Sequence, residues 1–124
     1  MIIAGFGFRA EATARSLKDA YDKLGGGADA IAVPDDKAGA LCFKQLAAEL
    51  DLPVHRISAD AMQSVKTQTQ AQKVIEKRGT GSVAEACALV ATGAEGRLIA
   101  ARHISEDRMA TCALAMTSSE GQNT

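Results

Sequence analysis

The chain has 124 residues, is 47% hydrophobic and carries 14 Lys and Arg against 15 Asp and Glu, a net charge of −1. That length fits one domain. The near-neutral balance excludes the basic excess of a nucleic-acid binder, and no run of ~20 apolar residues excludes a membrane span. With 3% aromatic residues and no Trp, the core is expected from Ala, Val, Ile and Leu.

Met1-Ile2-Ile3-Ala4-Gly5 has no basic region or long apolar run, so it reads as an opening strand rather than a signal peptide. The strand Ile2 to Ala4 is expected to end in a glycine turn, Gly5-Phe6-Gly7. Thr13 is the N-cap of a helix reaching about Leu24, where Gly25-Gly26-Gly27 stops it at roughly 1 kcal/mol per glycine. Ala28 to Val33 is the second strand, closed by Pro34, and Asp35-Asp36-Lys37 a polar loop. A helix from about Gly39 to Leu50 puts Leu41, Leu46, Ala47 and Leu50 on one face. Pro53 to Ile57 is the third strand, with Ser58 or Asp60 capping a short turn from Ala59 to Met62.

Gln70 to Lys77 is a further helical or ragged segment. Ser82-Val83-Ala84-Glu85 fits a capping box, in which the Ser82 hydroxyl accepts from the Glu85 N–H and Glu85 reaches back to the Ser82 N–H. That helix ends at Gly93. Arg97 to Ala101 and Thr111 to Met116 make an antiparallel hairpin around Ser105-Glu106-Asp107-Arg108. Residues 118–124 are expected to be a flexible polar tail, leaving 1–117 as the domain. Strands alternating with helices imply an α/β fold: a three-layer α/β/α arrangement with a mostly parallel sheet of about five strands and a C-terminal antiparallel hairpin.

Cys42, Cys87 and Cys112 are odd in number and far apart. They read as buried free thiols in a reducing cytoplasm. His55 lies within a strand and reads as a structural or surface residue, and His103 stands apart from other metal-type ligands, so no metal site is expected, and no cofactor. Loops after parallel strands gather at one sheet edge, where ligands of open α/β sheets bind. That edge collects Gly5, Gly7 and Arg9; Asp35, Asp36 and Lys37; Ser58 and Asp60; and Arg102 and His103. Arg9, Lys37 and Arg102 would converge there, which points to an anionic ligand. The Gly79-Thr80-Gly81-Ser82 run reads either as a helix cap or as an anion site at a helix N-terminus. Glu85 is open to two roles, half of the capping box or a general base.

The ordered motifs resemble a family. Gly5-Phe6-Gly7-Phe8-Arg9 is similar to its Gly-Ile-Gly-Cys-Arg start, Lys37 to its loop lysine, and residues 79–89 to its Gly-Ser-Val-Ala-Glu-Ala-Ala-Ala-Leu run. Ala110-Thr111-Cys112-Ala113-Leu114-Ala115 resembles its closing Ala-Thr-Val-Ala-Ile-Ala strand. This is the CobE and CbiG C-terminal domain family of cobalamin biosynthesis, and the resemblance runs from Ile3 to Met116. Phe8 stands where relatives often carry Cys, and Ala101 to Ser105 where they often carry a Lys-rich turn.

The resemblance implies a protein of corrin-ring assembly that takes a precorrin, a tetrapyrrole with many peripheral carboxylates. The expected ligand-binding set is Gly5, Gly7, Arg9, Asp36, Lys37, Gly81, Ser82, Glu85 and Arg102. A carrier or accessory to ring contraction or lactone processing is the first expectation. A hydrolase opening a precorrin lactone, or a non-catalytic subunit docked on another enzyme of the route, are the alternatives. The resemblance implies that fused CbiG proteins open such a lactone and release acetaldehyde; at 124 residues this chain is expected to be the stand-alone form, without their N-terminal regions.

Overall fold

A computed structural model describes residues 1–117; the expected tail, 118–124, lies outside the described residues. The elements run β1 (Ile2–Phe8), α1 (Ala14–Lys23), β2 (Ala30–Pro34), a 3-10 turn (Asp35–Lys37), α2 (Leu41–Leu50), β3 (Val54–Ile57), α3 (Ala59–Gln63), α4 (Gln72–Arg78), α5 (Val83–Thr92), β4 (Arg97–Ile104) and β5 (Ala110–Met116). One five-stranded sheet has the order β3-β2-β1-β5-β4. β1, β2 and β3 pair in parallel, while β5 pairs antiparallel to both β1 and β4.

The topology follows from handedness. The steps β1 to β2 and β2 to β3 move in one direction across the sheet, so right-handed crossovers put α1 and α2 on one face. The return from β3 to β4 runs the other way and lays α3 and α5 on the opposite face. Two cores result. One joins Phe6, Leu17, Tyr21, Val33, Phe43 and Leu46 beneath α1 and α2. The other joins Ile3, Ala30, Ala32, Ile57, Met62 and Cys87 beneath α3 and α5.

Several boundaries differ from the sequence reading. β1 does not end at Ala4 but runs on through Gly5 and Gly7 to Phe8. A Cβ on Gly5 would drive into the Ala84 carbonyl and lie 2.7 Å from the Ala88 nitrogen. The glycine is therefore a seat for α5 against the strand and not a turn. Leu41 is 70% exposed, and Phe43 takes the buried position on α2 with Leu46. Phe43 meets Phe6 edge-on, with ring centroids 6.3 Å apart, and Phe6 lies 6.1 Å from Tyr21. The few aromatic residues thus anchor one core, which is not the purely aliphatic one that the composition led us to expect.

Thr13 caps α1 as expected, in a reciprocal arrangement with Ser16. Ser82 caps α5, its hydroxyl accepting from the Glu85 N–H at 3.2 Å. β4 extends past Ala101 to Ile104, so Arg102 and His103 belong to the strand and not to the loop after it. Its register against β5 shifts twice, between Leu98 and Ala100 and between Ala100 and His103. Such bulges re-aim side chains and interrupt the ladder.

Candidate functional site

β1, β2 and β4 run the same way, so their carboxyl ends share an edge with the start of β5. A cleft of about 690 Å³ opens there, within the range of roughly 300–1,000 Å³ usual for small-molecule sites. β1 contributes Gly7 and Phe8, and the segment after it Arg9 and Glu11. Lys37 comes from the 3-10 turn. α4 gives Lys73, Val74, Lys77 and Arg78, and α5 gives Val83. The β4–β5 hairpin supplies Arg102, Ile104, Arg108 and Met109.

Seven of the chain's 14 Lys and Arg line this cleft. Glu11 is its one carboxylate among the described lining residues. A chain of net charge −1 has therefore sorted its charge and gathered positive potential at one place. Arg78 Nη1 sits 3.1 Å from Asp36 Oδ1. Among the described residues the other six cations form no ion pair. Lys37 Nζ lies 5.3 Å over the Phe8 ring, which is stacked on Phe43. Phe8 thereby links the cleft to the α1–α2 core.

Four of the nine expected residues line the cleft: Gly7, Arg9, Lys37 and Arg102. Asp36 stands beside it as the partner of Arg78. Gly5 lies beneath α5. Gly81 and Ser82 are buried, and the Gly81 carbonyl accepts from the Ala71 N–H at 3.0 Å. Ser58 caps α3 through the Ala61 N–H. The loop after β3 is absent from the cleft lining among the described residues.

Glu85 departs most from expectation. It is fully buried, and its carboxylate does not return to the Ser82 N–H. Oε1 accepts from the Thr69 N–H at 2.8 Å, and Oε2 accepts from the Thr69 hydroxyl at 2.6 Å and the Arg102 N–H at 2.8 Å. The Arg102 N–H lies in the second register shift of β4. One carboxylate thus pins the 67–71 segment and the bulged strand to α5. Burial pushes its pKa up, but the donors from Thr69 and Arg102 outweigh this and hold it below the ordinary 4.5.

Lys73, Lys77, Arg78 and Arg108 were not among the expected site residues. The spacing of Lys73 and Lys77 is a readable signal, because residues four apart share a helix face. What the sequence did not reveal is that this face would meet the ends of β1 and β4.

The family described as Cobalamin synthesis G C-terminus matches residues 2–115. No curated protein matches. The fold is similar to that of CobE, a protein from the cobalamin (vitamin B12) biosynthetic pathway, with TM-score 0.78 and 28% identity over 93% of this chain and 89% of that one. It is also similar to cobalamin biosynthesis protein chiG from Agrobacterium tumefaciens str. C58, with TM-score 0.71 and 30% identity over 95% and 99%. A cobalamin biosynthesis protein G homolog from Sulfolobus solfataricus shares the fold, with TM-score 0.69 and 21% identity over 94% of this chain and 37% of that one.

Proposed function

This chain belongs to the cobalamin synthesis G C-terminus family, and from that premise we propose that its cationic cleft binds a precorrin or related corrin intermediate. The observation that carries this reading is the collection of seven cations against one carboxylate in a single cleft. Such intermediates carry many carboxylates around a broad apolar ring. Arg forks take carboxylates bidentately, and Lys adds point charge. Phe8, Val74, Val83 and Ile104 offer apolar surface between the charges. Gly7 lines the cleft at the end of β1, and the place a Cβ would take there is filled by Thr111, whose Oγ1 would lie 2.9 Å away, and by Val83.

The role is that of a carrier or accessory protein within residues 1–117, working in the cytoplasm beside the other enzymes of the route. The three free thiols suit a reducing compartment. A hydrolytic role finds no support in Glu85, whose two oxygens are already taken by Thr69 and Arg102. Asp36 is engaged with Arg78.

The test is a visible-absorbance titration of a corrin bearing free peripheral carboxylates into the purified protein. A saturable spectral shift is expected, weakened at least tenfold in a variant carrying both Arg9→Gln and Arg108→Gln, since each charge-assisted bond contributes ~1.5–3 kcal/mol. Absence of any shift at millimolar protein would overturn the reading.

A further inference from the structure

α4 is built unlike the rest of the fold. None of its seven residues is buried, and neither core cluster includes any of them. Four of its residues, Lys73, Val74, Lys77 and Arg78, nevertheless line the cleft, and three of them are cations. Its attachments lie at its ends. The Ala71 N–H donates to the Gly81 carbonyl at 3.0 Å, and Gln63 Nε2 donates to the Arg78 carbonyl at 3.1 Å. Gly79 closes the helix at φ 72°, a left-handed conformation that other residues enter at a cost. The one ion pair from α4 to another part of the fold among the described residues is Arg78 to Asp36. Asp36 adjoins Lys37, so the pair ties the far end of α4 to the turn after β2.

A helix without buried side chains opens at little cost, because opening exposes no apolar core. Its position over the cleft is then set by electrostatics. Among the described residues, Arg78 is the one of the seven cations neutralised by an acidic partner. An incoming carboxylate competes with Asp36 for the same guanidinium.

We propose that α4 is an electrostatic flap of the cleft and that Asp36 is its latch, occupying Arg78 until a ligand carboxylate replaces it. This rests on the cleft being the ligand site. Asp36 is then a positioning residue acting through Arg78 and not a ligand contact. In the free protein it keeps three cations poised over the cleft. On ligand entry Arg78 exchanges one carboxylate for another, and α4 is held by the ligand instead.

The test has two arms. In the first, amide exchange across 72–78 is compared between wild type and Asp36→Asn without ligand. Partly exposed ion pairs are weak, so a rise of up to about fivefold confined to this segment is expected. Unchanged exchange would overturn the latch. The second arm measures affinity for a polycarboxylate corrin in wild type, D36N, R78Q and the double variant. If Asp36 acts through Arg78, D36N strengthens binding by about two- to fivefold alone and has no effect in the R78Q background. An equal gain in both backgrounds would overturn the latch, since Asp36 would then act only through the overall field. If wild type binds no corrin, the reading of the cleft fails, while the exchange arm still decides the latch.

Discussion

α4 and α5 are neighbours in the chain, separated by the four residues 79–82, yet they are built to opposite rules. α5 buries Ala84, Glu85, Ala86, Cys87 and Ala88 in ten residues, and α4 buries none in seven. The small residues of α5 let its backbone settle onto β1, where Gly5 leaves space for the Ala84 carbonyl. Its burial pushes the Cys87 thiol up to about 12, a mark of how dry that layer is. α4 directs Lys and Arg at the same end of the sheet. The difference separates two tasks: α5 fixes the frame of the cleft, and α4 supplies much of its charge.

This contrast predicts unequal responses to substitution. The largest belongs to Gly5→Ala. Its methyl has nowhere to go between β1 and α5, so a stability loss of about 3 kcal/mol is expected by chemical denaturation. A loss under 0.5 kcal/mol would show that α5 sits less tightly than the geometry states.

Glu85→Gln comes next. The amide replaces one acceptor oxygen with a donor and sets it against Thr69 or Arg102, costing about 1–3 kcal/mol. The acid dependence has a defined sign. Because the folded pKa of Glu85 lies below its ordinary value of 4.5, its contribution is present above that value. It is lost as the pH falls through the depressed folded pKa. Wild-type Tm should therefore drop in that acid window, and the drop should be smaller in E85Q. Parallel curves for the two proteins would contradict the pinning role.

The paired variant Lys73→Glu, Lys77→Glu inverts the pattern. Both side chains are exposed on an unburied helix, so stability should change by less than about 0.5 kcal/mol. Corrin affinity should nonetheless fall at least tenfold. Leu41→Gln sits at the small end of the scale. This residue is 70% exposed, and its replacement should move Tm by under about 2 °C.

The same division explains what was readable beforehand. The alternation of strands and helices, the caps at Thr13 and Ser82 and the closing hairpin follow local rules that act within a few residues. Parallel strands deliver their carboxyl-terminal ends to one edge, which is why Arg9, Lys37 and Arg102 line one cleft. Contacts distant in sequence were not legible. Glu85 satisfies the half of the capping box that the Ser82 hydroxyl makes, but its carboxylate goes to Thr69 and to a bulge in β4. No sequence pattern marks that bulge. Gly5 looked like a turn residue because a strand glycine needed for close helix approach has the same local signature. Leu41 is expected on the buried face of its helix but lies exposed, because α2 begins only at Leu41 and leaves that side chain in its first turn.

The most direct measurement compares calorimetric affinities for a corrin with free peripheral carboxylates and for the same ring with those groups amidated, at low and high salt. The cationic cleft predicts at least tenfold preference for the free acid at low salt, reduced at high salt and abolished by the paired α4 charge reversal. Equal affinity for the two ligands, insensitive to salt and to the reversal, would contradict the claim that these seven cations form the binding surface.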